Sequence, residues 1–471
     1  MTYIISRRPT PETVLQRAGA RAEQMNAIPY TPLKKGQIRL LRLTPGNWKI
    51  KTIFHLETYD IDHVPLYFAL SYTWGDPDEV GGTIWYQPGG IEVVVTTNLF
   101  YGLHRLQADI HHNHVAYVWV DALCINQDDN TEKALQIPLM RRIFAEAEHV
   151  LAWLGIATRE EELAVQTINV LWPQLRAVKD QYRSVGSWFE RVDNVARLLP
   201  PADDAFWPRF LELVAKSWHN RVWTVQEACV DTSVTFIVGV EGHISFPDFM
   251  GFVAMVRAAR SNGVGFLYNV LAWNPSPAAR TELIRRLISR YREKREKLLE
   301  EVAFLSTLDR YLSDLLEGVY NVDRLRHQVL GPDTPSLRHL LFKAFYGRDC
   351  SVLSDRVAAM AGILTPSLAL DASLDLTTNE AFMLASRTWW LHDPELTFLH
   401  FVDPHRKSKS HPSWVLDFKL LQHAPIVQHG LDQEYDYRAG GTRHTRTFAT
   451  YMSKTCYNGG QATSLSAIGI V

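Results

Sequence analysis

The chain has 471 residues, of which 46% are hydrophobic and 21% are charged, and its formal net charge is −2. At about 100–200 residues per domain, this length predicts roughly two to four structural units with a sizeable apolar core, which excludes a disordered chain. The balanced charge offers no basic stripe for nucleic acid and no cationic tail for a membrane surface, so we predict no nucleic-acid partner.

The first part of the chain alternates strand and helix patterns. QIRLLRL, at residues 37–43, alternates as a strand does, and Leu66 to Tyr72 is a nearly continuous apolar run typical of a strand buried on both faces. IEVVVTTNLFYGLHRLQ predicts a strand and then a helix with Thr97 as its N-cap. The apolar face of that helix consists of Leu99, Leu103 and Leu106.

Three further strands are predicted along the chain. Residues 116–121, 150–155 and 233–239 are short apolar runs bounded by turn or polar residues. Between the first two, a polar loop leads into an amphipathic helix that begins near Thr131. The cap of this helix is expected among Asp128, Asp129 and Asn130. Residues 206–230 predict another long helix.

This order of elements predicts an α/β fold with a mainly parallel sheet flanked by helices in three layers. We divide the chain into a lead-in at residues 1–36, the α/β domain at 37–240, a helical region at 241–345 and a mixed C-terminal region at 346–471. The part beyond the α/β domain is expected to be an extension rich in α-helix.

Ligands of open α/β sheets bind beyond the carboxyl ends of the strands. The polar side chains that follow the first two buried strands are Ser71, Thr73, Asp76, Asp121, Asn126 and Gln127. The sequence therefore places a candidate site at this edge of the sheet.

Several common site motifs are absent from the sequence. It contains no GxxxxGK[ST] loop, no GxGxxG after a strand, no GxSxG and no HExxH. The histidines of HHNH (111–114) lack acidic or cysteine partners nearby, so we predict no metal site. The four cysteines form no CxxC pair, which favours reduced thiols in the cytoplasm. The apolar run VAAMAGIL is too short to cross a bilayer, and we predict no membrane span.

Trp74 follows the strand that ends at Tyr72, close to Ser71. Its indole is suited to stacking on a flat ring at the rim of a pocket. The alternative is a tryptophan that packs against the protein in an ordinary turn.

Trp223 and Glu227 stand four residues apart, so on a helix they share one face. In a functional interpretation, Trp223 stacks on a base or ribose, and Glu227 meets a hydroxyl or a developing positive charge. In a structural interpretation, Glu227 pairs with Arg221, with Arg142 or with a backbone amide, because buried charges are usually paired.

The sequence resembles the fungal heterokaryon incompatibility (HET) domain in three blocks that occur in the family's order. These blocks are YFALSYTWGDP, VWVDALCINQDDNTEKALQIPLMRRIFAEAEHVLAWLG and SWHNRVWTVQEACV. The resemblance covers residues 37–240 and extends more weakly over 340–420. It implies a fungal protein of non-self recognition, in which the domain triggers programmed cell death after incompatible cells fuse.

The HET domain is in turn similar to TIR domains, and the predicted flavodoxin/TIR-like sheet agrees with that likeness. ALSYTWGD is similar to the first-strand motif of TIR domains, and WTVQE matches their W-x-x-x-E motif. In enzymatic TIR domains that glutamate acts in cleaving NAD at the nicotinamide–ribose bond. The resemblance makes Glu227 the catalytic carboxylate. It implies that the nucleotide is held by Ser71, Tyr72, Trp74, Asp121 and Trp223.

The expected function is therefore that of a cytoplasmic HET-domain protein acting in heterokaryon incompatibility, an innate-immunity-like process. NAD is the expected substrate, and no cofactor is firmly implied. The resemblance also implies self-association and a protein partner that the sequence does not identify. The alternative is a non-enzymatic signalling module in which the Trp-x-x-x-Glu motif is structural.

Overall fold

The computed structural model describes two compact units. The first comprises Met1–Val170 and Thr232–Phe246, and the second comprises Leu171–Asp231 and Pro247–Val471. The described residues are 28–44, 51–75, 79–110, 116–181, 198–200, 204–261, 316, 318–331, 344, 348–350, 352–361, 363, 377–392 and 415–416.

Among the described residues, the first unit contains one sheet of nine strands. The strands are β1 (Gln37–Leu43), β2 (Ile53–Asp60), β3 (Phe68–Tyr72), β4 (Val80–Tyr86), β5 (Ile91–Thr96), β6 (Ala116–Trp119), β7 (His149–Trp153), β8 (Val234–Val238) and β9 (Gly242–Ser245). Their order in the sheet is β5-β4-β2-β1-β6-β3-β7-β8-β9.

The middle of the sheet is a parallel block made by β6, β3, β7 and β8. These are the four apolar runs predicted between residues 66 and 239, so that prediction is confirmed. Strand β3 lies between β6 and β7, and its Ala69 pairs with both Trp119 and Val150. Residues 69–72 of β3 are buried, as expected for a strand covered on both faces.

The outer parts of the sheet correct the expectation of a mainly parallel arrangement. Strand β1 runs antiparallel to both β2 and β6, and the pairs β4–β5 and β8–β9 are also antiparallel. Strand β2 pairs with β4 in parallel over two residues. The sheet of the described residues is therefore mixed. Short connections join β4 to β5 and β8 to β9 as hairpins, whose strands are antiparallel.

The described helices belong to both units. They are α1 (Thr97–Asp109), α2 (Asp121–Cys124), α3 (Asn130–Gln136), α4 (Met140–Glu146), α5 (Arg159–Gln181), α6 (Phe206–Val214), α7 (Thr224–Ala228), α8 (Phe246–Ser261), α9 (Asp355–Ala361) and α10 (Thr378–His392). Residues 318–330 are also helical, and short 3-10 turns lie at Ile61–His63, Ile137–Leu139 and Ser217–Asn220. Helices therefore dominate the described residues beyond 245, as the α-rich extension predicts.

Helix α1 packs its predicted apolar face into the core of the first unit, where Leu99, Leu103 and Leu106 are buried. Its N-cap is Thr96, so the prediction of Thr97 was wrong by one residue. The backbone N–H and the hydroxyl of Thr97 both donate to the carbonyl of Glu79, at 3.2 Å each. These bonds hold Thr97 as the first helical residue.

Two predicted long helices are interrupted. Pro138 lies in the 3-10 turn between α3 and α4, where its missing N–H and its ring break the helical hydrogen-bond ladder. The helix expected over 206–230 divides into α6, the turn Ser217–Asn220 and the five-residue α7. The Trp-x-x-x-Glu motif therefore lies on a short helix that follows a turn.

Candidate functional site

The exposed indole of Trp74 lies at the carboxyl edge of the parallel block. Trp74 follows β3, and 41% of its surface is exposed. Its Nε1 donates a hydrogen bond to Oδ2 of Asp121, at 2.8 Å, just beyond the end of β6. Oδ1 of the same carboxylate accepts the N–H of Ala122 at 2.7 Å. Asp121 thus fixes the orientation of an aromatic ring that remains open to solvent.

Asn98, in the first turn of α1, joins the ends of β3 and β7. Its Nδ2 donates to the carbonyl of Thr73 at 2.6 Å and to the Thr73 hydroxyl at 3.0 Å. Its Oδ1 accepts the indole N–H of Trp153 at 2.8 Å. Gly155 follows β7 with φ of +98°, and a Cβ there would lie 3.3 Å from Oδ1 of Asn98. A glycine is favoured at this position, because the backbone is left-handed and approaches the amide closely.

The polar loop after β6 is held by a buried ion pair between Arg39 and Glu132. Nη1 of Arg39 lies 2.5 Å from Oε1 of Glu132, and Nη2 donates to Oε2 at 2.8 Å. Arg39 also donates to the carbonyl of Cys124 at 3.0 Å, and Glu132 accepts the N–H of Asn126 at 2.7 Å. These bonds fix the loop that joins α2 to α3.

The same loop confirms part of the capping prediction. Oδ1 of Asp129 accepts the N–H groups of Thr131 and Glu132, at 2.9 and 3.1 Å, which makes Asp129 the N-cap of α3. Gln127 donates to the carbonyl of Asp121 at 2.9 Å. Gln127 therefore stabilises the loop by bonding to its backbone.

The structure brings four of the predicted nucleotide-binding residues into the first unit. Ser71 and Tyr72 are buried within β3, whereas Trp74 is exposed and Asp121 is partly exposed. Trp74 and Asp121 form a direct pair. Asp76 and the HHNH segment lie outside the described residues.

The Trp-x-x-x-Glu motif belongs to the second unit. Trp223 is the N-cap residue of α7, and its carbonyl accepts the N–H of Glu227 at 3.3 Å. The indole Nε1 of Trp223 donates to Oδ2 of Asp355 at 3.1 Å. Glu227 is only 4% exposed and has an interaction partner. Arg142, one partner considered for it, pairs with Asp62 and Glu146 in the first unit.

Burial perturbs several ionisable groups around this segment. It raises the pKa of Asp355, against the opposing effects of the hydrogen bond from Trp223 and the charge of Arg221. It lowers the pKa of His219 to about 3, and the positive charge of Arg348 acts in the same direction. The pKa of Arg348 is itself lowered to about 10 by burial. His219 and Arg348 are buried, and Asp355 is half-buried.

Within the described ranges, no group of three or more His, Cys, Asp or Glu side chains is arranged to hold a metal ion. The same residues contain no helix that is both long and apolar enough to cross a membrane. Cys124 and Cys229 are buried, and Cys350 is partly exposed.

The sequence did not indicate four residues that shape the edge of the sheet at Trp74 and the segment of Trp223 and Glu227. These residues are Arg39, Asn98, Trp153 and Asp355. Arg39 occupies a polar position in an alternating strand pattern, and Asn98 lies at the start of a helix, where a capping residue is expected. Neither pattern indicates a partner that is distant in the sequence. Asp355 contacts Trp223 across 132 positions of sequence. No local spacing could have shown that contact.

Comparison with known proteins relates part of the chain to a known family. Residues 67–227 match the family model described as heterokaryon incompatibility protein (HET). It is similar to "Heterokaryon incompatibility protein 6, OR allele" of Neurospora crassa, with 26% identity over 251 residues. That match covers 47% of this chain and 37% of the relative, so it spans little more than a third of the relative's length. No solved structure matches the chain significantly.

Proposed function

We propose that the chain acts in heterokaryon incompatibility in the cytoplasm, and that its HET domain causes cell death by cleaving NAD. The family match at residues 67–227 and the printed name of the relative from Neurospora crassa support the first part. The second part extends the resemblance to TIR domains through ALSYTWGD and the motif of Trp223 and Glu227.

One observation supports nucleotide binding above the others: Trp74 is exposed and held by Asp121 at the carboxyl edge of parallel strands. Across the parallel block the strands lie in the order β6, β3, β7, β8, which is 2-1-3-4 when these four strands are numbered along the chain. This is the order of flavodoxin-like sheets, whose ligand lies at the switch point between the first and third strands. Here those strands are β3 and β7, whose ends Asn98 joins. An indole at this edge can stack on nicotinamide or adenine.

The chemistry needs one carboxylate. The bond between C1′ of the ribose and N1 of nicotinamide breaks, and its electron pair neutralises the positive charge of the leaving ring. A water molecule adds to C1′ and loses its proton to the solvent, which gives ADP-ribose. A carboxylate stabilises the oxocarbenium-like centre and binds the ribose hydroxyls. We assign this part to Glu227, because it occupies the motif position and is a buried carboxylate.

The test is a turnover assay with the purified full chain and NAD, in which nicotinamide release is followed by chromatography over a range of protein concentrations. A range is needed because activity is expected to depend on self-association. Glu227→Gln should reduce kcat at least about 100-fold, as loss of a group that stabilises the transition state does. Absence of nicotinamide release at every concentration, or equal kcat in the variant, refutes the proposal.

Two variants at Trp74 separate stacking from orientation. Trp74→Phe keeps a ring but loses the hydrogen bond to Asp121, and Trp74→Ala loses both. We expect KM for NAD to rise moderately in the first and at least tenfold in the second. Tyr101→Ala is the matched control, because Tyr101 is an exposed aromatic residue on α1. An equal effect in the control contradicts a binding role for Trp74.

A non-enzymatic signalling module is the second candidate, and the bond from Trp223 to Asp355 favours it. In that case Glu227 and Trp223 hold the second unit together, and the domain acts through a protein partner. The wild-type chain then releases no nicotinamide, while Glu227→Gln lowers the unfolding temperature and abolishes cell death on expression.

A further inference from the structure

The segment that carries Trp223 and Glu227 is bonded along its length to residues that follow it by about 90 to 140 positions. Before α7, the N–H of Val222 donates to the carbonyl of Asp349 at 3.1 Å, and the N–H of Asp349 donates to the carbonyl of Asn220 at 2.5 Å. Arg221 and Asp349 thus form a parallel bridge. The chain entering α7 is fixed by backbone bonds that a change of side chain leaves in place.

The helix itself is held at three points. The indole of Trp223 donates to Asp355 at 3.1 Å, and Nε2 of Gln226 donates to the carbonyl of Ala358 at 3.3 Å. At the end of α7, Nη1 of Arg326 donates to the carbonyl of Ala228 at 2.5 Å. The bonds therefore reach the start, middle and end of the helix.

A buried arginine connects the partners of this segment. Arg348 is fully buried and donates to the carbonyls of His219 and Gly318, at 2.7 and 2.9 Å. The carbonyl of Arg348 in turn accepts Nη2 of Arg356 at 2.7 Å. Because a buried guanidinium must keep its acceptors, Arg348 ties the turn before α7 to helical residues 318–330.

Helix α7 has five residues, far fewer than the roughly 12–15 that an isolated helix needs for marginal stability in water. Its conformation therefore depends on tertiary bonds. The residues that match the HET family model end at 227, whereas the partners described above lie between 318 and 358.

We infer that Arg326, Asp349, Asp355 and Ala358 complete the Trp-x-x-x-Glu site, and that Asp355 is a positioning residue for Trp223. The carboxylate of Asp355 holds the indole of Trp223, and the backbone carbonyl of Trp223 accepts N–H groups of the helix that carries Glu227. The positioning role stands on the contacts alone, and only its effect on turnover rests on the proposed NAD cleavage.

The experiment measures amide hydrogen exchange in the intact chain at residues 222–229, where Gln226, Glu227 and Cys229 donate helical bonds. Asp355→Leu removes the acceptor and keeps the branching of the side chain, and we expect at least about tenfold faster exchange, as for loss of one hydrogen bond to a charged group. Asp355→Asn keeps an oxygen acceptor and should restore exchange to within twofold of wild type.

The matched control is Asp248→Leu. Asp248 accepts the indole N–H of Trp172 at 2.9 Å in the same unit, so this change removes the same kind of bond elsewhere. It should leave exchange at 222–229 unchanged. If Asp355→Leu does not fold, Trp223→Phe removes the bond from the donor side and should give the same tenfold acceleration.

Exchange at 222–229 that stays at the wild-type rate in both Asp355→Leu and Trp223→Phe overturns the inference. If exchange accelerates as expected while the wild-type chain releases no nicotinamide, the inference holds and the NAD proposal fails. In an active chain, Asp355→Leu should lower kcat at least tenfold while Asp248→Leu does not. Unchanged kcat beside unchanged exchange leaves the NAD proposal intact and removes Asp355 from the site.

Discussion

Removing the charge of Glu132 tests whether the buried ion pair with Arg39 holds the loop that joins α2 to α3. The side chains of Arg39 and Glu132 are 2% and 4% exposed, and they form two hydrogen bonds. Breaking a buried pair by removing one partner costs about 3–5 kcal/mol, because the other charge is left without compensation. Glu132→Gln keeps the size of the side chain and an oxygen for the N–H of Asn126. We therefore expect the unfolding free energy of the first unit to fall by about 3–5 kcal/mol.

The double variant separates the charge effect from the lost bonds. Arg39→Met should cost at least as much as Glu132→Gln, since the carbonyls of Thr31 and Cys124 also lose their donor. Arg39→Met combined with Glu132→Leu leaves no buried charge. Its cost should fall short of the sum of the single changes by at least about 2 kcal/mol.

The assay is urea unfolding followed by hydrogen exchange of peptides from β1 and β6, which reports on the first unit by itself. The control is Glu241→Gln, because the pair of Arg159 and Glu241 is 56% and 60% exposed. Such exposed pairs contribute about 0–1 kcal/mol. The reasoning is refuted if Glu132→Gln costs no more than the control, or if the double variant is as costly as the sum.

Two further predictions concern pH and backbone conformation. The pKa of His219 is about 3 in the folded chain and about 6.5 in the unfolded chain. As pH falls below about 6.5, only the unfolded chain gains the proton, so about 2 kcal/mol of stability is lost by pH 5. His219→Phe, which keeps a ring stacked on Phe249, should lack this loss in urea unfolding at pH 7 and pH 5, and an equal loss in both proteins contradicts the assignment. Gly239 has φ of +60°, and a Cβ there would lie 2.5 Å from Oε1 of Glu162 and 2.9 Å from Cβ of Ala157. Gly239→Ala should therefore cost about 1–3 kcal/mol in thermal unfolding, and an unchanged melting temperature speaks against this contact.

The parallel block could be predicted from the sequence because its strands are buried on both faces. Each of β3, β6, β7 and β8 is a short apolar run. Residues 69–72 of β3 are buried, as expected for a strand that is covered on both faces. The missed strands lack this signal. Strand β2, IFHLETYD, is mostly half-exposed and carries polar residues, β4 contains two glycines, and β9 has four residues. Each of them pairs with its neighbour along the chain, β2 with β1, β4 with β5 and β9 with β8, so they were missed for their composition and not for the distance of their partners.

Single residues of the candidate site could be predicted from the sequence, but the hydrogen bonds that join them could not. Strand-end position predicted Trp74 and Asp121, but the hydrogen bond between their side chains joins residues 47 positions apart. Asn98 is an ordinary residue for the start of a helix, and its role depends on how closely β3 and β7 approach α1. The helix expected over 206–230 failed for the same reason, since bonds to Asp349 fix its interruption before α7.

Glu227 needs a test that distinguishes chemistry from structure, because its helix depends on residues outside the family match. Loss of nicotinamide release in Glu227→Gln does not by itself identify a catalytic group. A carboxylate that acts only on the ribosyl centre leaves the helix intact when it becomes an amide. We therefore expect exchange at residues 224–229 to stay within about twofold of wild type while kcat falls at least about 100-fold. If exchange accelerates together with the loss of kcat, as in Asp355→Leu, Glu227 is a structural residue of α7.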